Sequence, residues 1–138
     1  MASISVNQDG IMGNAMSIAV SGMQAASVRL DAAASNIVNR NSDGPPAGSD
    51  AYQPVSVSQS ATADGGVSAS LQPVTPSTLL VYDPSSPYAN VQGMVAQPNV
   101  DLATEIVNLK LAQHDFRASL LAYKASSQMF KSLLDATA

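Results

Sequence analysis

The single histidine of this 138-residue chain, His114, is followed directly by Asp115, the one pairing in the sequence that suggests acid–base chemistry. Both fall in a helical stretch, where adjacent side chains point about 100° apart. They cannot form a catalytic pair without distortion, and His114 reads as a polar helix-face residue. Glu105 is the sole glutamate, which excludes hydrolysis by paired glutamates. The nine aspartates are scattered and make no calcium-loop run. With no cysteine there is no thiolate nucleophile, disulfide or zinc ribbon. Gly10-Ile-Met-Gly13 and Gly65-Gly66 are too short to cradle phosphate, and no Gly-Lys-Ser/Thr follows either. The expectation is a protein that is not an enzyme, with no catalytic, cofactor or metal residues and no small-molecule substrate. Six Lys and Arg against ten acidic residues give a net charge of −4 and no basic patch for phosphate backbones, so nucleic acid is not an expected partner.

The elements must therefore position surfaces instead of reactive groups. Charged residues are only 12% of the chain and aromatics 4%, with no Trp, two Phe and four Tyr. Alanine and serine, 22 and 20 residues, supply 42 of the 138 positions. A lone globule of this mix buries little apolar area. Yet 46% of residues are hydrophobic, which argues against disorder. Such a chain is expected to complete its burial against neighbours. Residues 10–28 carry no charge, but Asn14, Ser17, Ser21, Gly22, Gln24 and Ser27 make them too polar to cross a membrane. No Lys or Arg precedes this stretch, so a cleavable secretory signal is not expected.

All eight prolines lie between Pro45 and Pro98. This punctuation divides the chain into an N-terminal arm (1–40), a Pro- and Ser-rich middle (41–98) and a C-terminal arm (99–138), the arms forming one discontinuous helical domain. In the first arm Met12, Met16, Ala19, Met23, Ala26, Leu30, Ala33 and Ile37 alternate steps of four and three, the seam of a long helix. Ser5 with Gln8, or Asp9, is the expected N-cap, and Asn41 the left-handed C-cap. In the second arm Leu102, Ile106, Leu109, Gln113, Phe116, Leu120, Tyr123, Ser127, Phe130 and Leu134 repeat the pattern after an opening at Pro98 and Asn99. Phe116, Tyr123 and Phe130 match the seven-residue spacing of Ala19, Ala26 and Ala33, so aromatic knobs are expected opposite alanine slots in an antiparallel coiled-coil hairpin. Leu111, Leu121, Met129 and Leu133 fall off this seam and are candidate contacts between copies. The middle reads as a small β unit: strands near 52–59 and 67–74 around Asp64-Gly65-Gly66, and a third at Thr78–Tyr82. The fold class is mainly α, with paired terminal helices and a small β-rich middle.

Two stretches carry a resemblance. Asp83, Pro84 and the following residues to Pro98, Asn99, Val100 and Asp101, leading straight into a long helix, resemble the flagellar basal-body rod protein family, closest to the proximal rod. Ser27 to Asn39, with Ser35, Asn36, Ile37 and Asn39, is similar to the N-terminal motif of flagellar axial proteins. The resemblance implies a structural subunit of an axial drive shaft that transmits torque from motor to hook and surrounds an export channel. Implied partners are copies of itself, other rod proteins, the inner-membrane ring and rod-adapter proteins at its base, and the flagellar type III export apparatus. The implied location is the periplasmic rod, reached without a cleaved signal. Asn36 and Asn39 are expected to cap the helix end, with a hydrogen bond between subunits as the alternative for them. A secreted type III needle- or translocator-like helical-hairpin assembly or binding protein is the alternative function.

Overall fold

The computed structural model describes residues 2–48 and 50–137. Two long helices, α1 (Ala2–Val38) and α2 (Leu102–Thr137), enclose four short strands in sequence: β1 (Val55–Ala61), β2 (Val67–Pro73), β3 (Thr78–Tyr82) and β4 (Met94–Pro98). None of the described helices is long and apolar enough to cross a membrane.

No proline interrupts residues 2–38, so α1 runs on past the polar residues expected to start it. Ser5 and Asp9 fall inside the helix and not at its N-cap; the side chains of Ser5, Gln8, Asp9 and Met12 lie outside the described residues. At the other end the left-handed cap expected at Asn41 is absent, because no described residue other than glycine has a positive φ. Asn39 closes the helix instead, its backbone N–H and its Nδ2 both donating to the Ser35 carbonyl, at 3.0 and 2.9 Å. Likewise α2 opens later than Pro98 and Asn99. Pro98 ends β4, and Asp101 is the cap: its Oδ1 accepts from Ala103 N–H at 3.3 Å, and its Oδ2 accepts from Thr104 Oγ1.

The β middle is two separate antiparallel pairs. β1 pairs with β2 from Val55↔Pro73 to Ala61↔Val67, turning through Gly65 at φ +85°. β3 pairs with β4, which the alternation had not marked, in the register Thr78↔Pro98 to Tyr82↔Met94. Gly44 extends this second sheet by a reciprocal bridge to Ala96, each N–H donating to the other's carbonyl at 2.9 Å.

α1 packs against α2 on one side and the β1–β2 hairpin on another. Its buried apolar side chains are small: Ala19, Ala26 and Ala33 lie on one row, Ala25 and Ala32 on the next. Alanine on two adjacent rows lets a helix and a hairpin both approach one backbone closely. Ala112 is the buried counterpart on α2.

Candidate functional site

The meeting of α1 and α2 is built from short side chains and one ion pair. A methyl group on Gly22 would stand 2.6 Å from Ser119 Oγ, so any larger residue there would have to turn that hydroxyl away. Farther along, Arg29 Nη1 meets Asp115 Oδ2 at 2.6 Å. Position rises from 22 to 29 along α1 as it falls from 119 to 115 along α2. Asp115 is thus engaged by an arginine. His114 lies 3.9 Å from its other oxygen, with an imidazole 83% exposed.

Ala19, Ala26 and Ala33 are buried, but the α2 residues brought to α1 include Ala112, Asp115 and Ser119. Phe116, Tyr123 and Phe130 are half-buried, as are Leu102, Leu109 and Leu120 on α2 and Met16, Met23, Leu30 and Ile37 on α1. Helical periodicity sets these larger residues along one margin of the pair. Ile106 and Leu134 of the same row are exposed. Off the row, Leu111, Leu121 and Met129 are 49%, 66% and 58% exposed, while Leu133 is half-buried.

Asn36 has a role the local pattern could not reveal. It is 1% exposed and clamps the start of β1. Its Nδ2 donates to the Val55 carbonyl at 2.7 Å; its Oδ1 accepts from Val55 N–H at 3.1 Å and from the Tyr52 hydroxyl at 3.0 Å. Val74 N–H donates to the Pro54 carbonyl, so the ladder alternation turns both polar groups of Val55 away from β2. The carboxamide therefore stands in for the peptide group of a missing neighbouring strand. Asn36 thus clamps a strand where a helix cap was expected; of the two residues, only Asn39 caps. The hairpin is tied to α1 a second time by Val67 N–H donating to Ser21 Oγ at 3.1 Å.

Charged groups around this clamp are perturbed by burial. Glu105 is raised above the usual carboxylate range by desolvation, against the lowering effect of Asn36 and Asn108. Tyr52 is raised by burial and then by the charge of Glu105. Asp43 is raised by burial and then by nearby Asp83, with Gln97 opposing, and its Oδ1 is buried without a partner. The motif residues around the second sheet have turn roles. Asp83 accepts from Ser85 N–H and Oγ, which lowers its pKa, and Pro84 follows in the exposed turn. Asn99 Nδ2 donates to the Pro76 carbonyl at 2.9 Å, and Val100 N–H to that of Pro98 at 2.8 Å.

Helices mated through small residues, a β segment bound to one of them, and large apolar side chains left on the outer faces define a structural assembly protein. Two family models match the chain: flagella basal body rod protein over residues 16–45, and flagellar basal body rod FlgEFG protein C-terminal over residues 91–136. Flagellar basal-body rod protein FlgC of Salmonella typhimurium is 35% identical over 127 residues, covering 87% of this chain and 94% of the relative. Its namesake in Aquifex aeolicus is 30% identical over 129 residues, covering 89% and 95%. The chain belongs to the flagellar basal-body rod protein family. That membership does not favour the needle or translocator alternative.

Proposed function

We propose that the chain is a subunit of the proximal part of the rod, in which α1 and α2 pair as an antiparallel coiled-coil hairpin and pack side by side with other subunits into a tube. The observation that carries this reading is the family likeness over most of the chain, with the two models falling on the terminal helices. The tube transmits torque from motor to hook and surrounds the export channel through which its own subunits travel, without a cleaved signal, to the periplasm. The large residues along the helix-pair margin, from Met16 to Ile37 and from Leu102 to Leu134, stabilise the pair and its flank. Leu111, Leu121, Met129 and Leu133 meet neighbouring copies. At the base of the rod the chain meets the inner-membrane ring and adapter proteins. Units 1–40 and 99–138 act as one helical body, with 41–98 attached to it.

The test is electron microscopy of basal bodies purified from cells whose own copy of this gene is deleted and replaced by an epitope-marked one. The label should lie in the rod, and the deletion alone should stop rod growth and swimming. Swimming cells with complete rods lacking the label would refute the proposal.

A further inference from the structure

Helical periodicity gathers basic residues that a count over the whole chain disperses. Lys110, Arg117, Lys124 and Lys131 recur every seven residues on α2, and all four are exposed. Leu121, also exposed, lies among them in the same row. Four of the six Lys and Arg thus share one face, about 32 Å long at ~1.5 Å per residue. No acidic residue interrupts the row, and among the described residues none of the four makes an ion pair; Arg29 with Asp115 is the one Lys/Arg pair found. The face is turned from α1, since Asp115 and Ser119 flank Arg117 by two residues on either side and point the opposite way. Apart from these four residues the chain keeps two arginines against ten acidic residues, a charge of −8, with Asp135 one turn beyond Lys131 at the end of the row. Residues 41–98 contain no Lys or Arg at all. Asp31 is exposed on the side of α1 that carries the hairpin, beside a hollow lined by Ser35, Tyr52 and Leu71 and by no residue of α2; Asp64 is exposed at the hairpin tip, where Gly65 and Gly66 share a second hollow with Ala118 and Ala122 of α2.

We propose that this basic face of α2 docks on the acidic hairpin-side surface of a second copy, with Asp31 and Asp64 among its contacts. The basic row and Asp31 lie on different sides of one chain, since Asp31 follows Arg29 by two residues and points away from α2; the contact is therefore head-to-tail and propagates, as an open assembly needs. A polyanion such as nucleic acid would meet the repulsion of the remaining −8. The proposal rests on the rod reading and names which surfaces of adjacent copies meet.

The experiment is sedimentation velocity of the full chain, and of Arg117→Glu/Lys124→Glu, Asp31→Lys/Asp64→Lys and the chain carrying all four changes, at about 50 and about 500 mM NaCl. The wild-type chain should self-associate at low salt and lose this at high salt. Each paired reversal should weaken association by about tenfold or more; mixing the two, or combining them in one chain, should restore it. Absence of salt-sensitive association by the wild-type chain, reversals without effect, or binding to duplex DNA or anionic vesicles without self-association would overturn the proposal. The same variants in cells separate it from the rod reading. A wild-type chain missing from basal bodies defeats the rod reading, whereas reversed chains that build rods as well as wild type defeat the docking alone.

Discussion

Replacing Asn36 by leucine tests whether one side chain holds the β hairpin on α1. Leucine keeps the branching and the four heavy atoms of the asparagine side chain, so the change removes all its polarity while adding the bulk of two methyl groups. It leaves the Val55 N–H and C=O and the Tyr52 hydroxyl without the partners they have at 2.7 to 3.1 Å. Tyr52 is half-buried and can turn toward water, but the Val55 groups face the helix. At about 1–3 kcal/mol for each of the two orphaned Val55 groups, the loss is about 2–6 kcal/mol, a large part of the ~5–15 kcal/mol that holds a typical domain. Urea unfolding of the purified chain followed by circular dichroism should show a lower midpoint at unchanged slope. Asn36→Asp adds a control with a sign. Its carboxylate, buried beside Glu105 and the Val55 carbonyl, should have a raised pKa, so the folded state binds more protons than the unfolded state. The deficit should then be small below about pH 4 and grow as pH rises. A leucine variant within about 0.5 kcal/mol of wild type, or an aspartate variant with a pH-independent deficit, would refute the clamp.

Three further outcomes are expected. Gly22→Ala should destabilise the helix pair through its 2.6 Å approach to Ser119 Oγ, and adding Ser119→Ala should restore or exceed wild-type stability, since alanine gains about 1 kcal/mol over glycine in a helix; thermal melts of the two single variants and the double variant decide. Ala26→Leu, at a position 1% exposed, should cost about 1–3 kcal/mol by overpacking and abolish swimming in soft agar, while Phe116→Leu on the half-buried margin should only weaken it. Asp43→Asn should raise the melting temperature at neutral pH, because burial and Asp83 push the Asp43 pKa up, and that gain should vanish as pH falls below the usual carboxylate range, where wild-type Asp43 is protonated.

What was legible in the sequence followed from local repetition. Four-three spacing marked both helices, and Asp64-Gly65-Gly66 marked the hairpin, because each signal lies within a few residues of the structure it makes. The start of α1 differs from the expected one because Ser5 and Asp9 suit a cap, yet residues 2–4 carry no proline or glycine and continue the helix. β4 was missed because Met94–Pro98, largely buried, has no polar alternation. The face of α2 that meets α1 carries Ala112, Asp115 and Ser119, whose partners on α1 lie almost a hundred residues away and leave no local signal. The partner of Asn36 is nineteen residues away on a strand, whereas the partner of Asn39 is four residues away within the same turn; only the nearer was accessible to reasoning about caps. Composition averages over faces that a helix separates, so a count of six Lys and Arg does not reveal the basic row.

The attachment of the hairpin through Asn36 and Ser21 has a kinetic consequence. The Val55 and Val67 amide protons are held by α1 side chains, whereas that of Val74 is held by the Pro54 carbonyl across the hairpin. A motion that lifts the hairpin off the helix without melting it would expose the first two protons to deuterium and leave the third protected. Exchange at Val55 and Val67 therefore times undocking, and exchange at Val74 times the loss of strand pairing. Two clocks with different triggers sit within one twenty-residue segment. Their readings would separate on any pathway in which the middle of the chain swings away from the helices before it unravels.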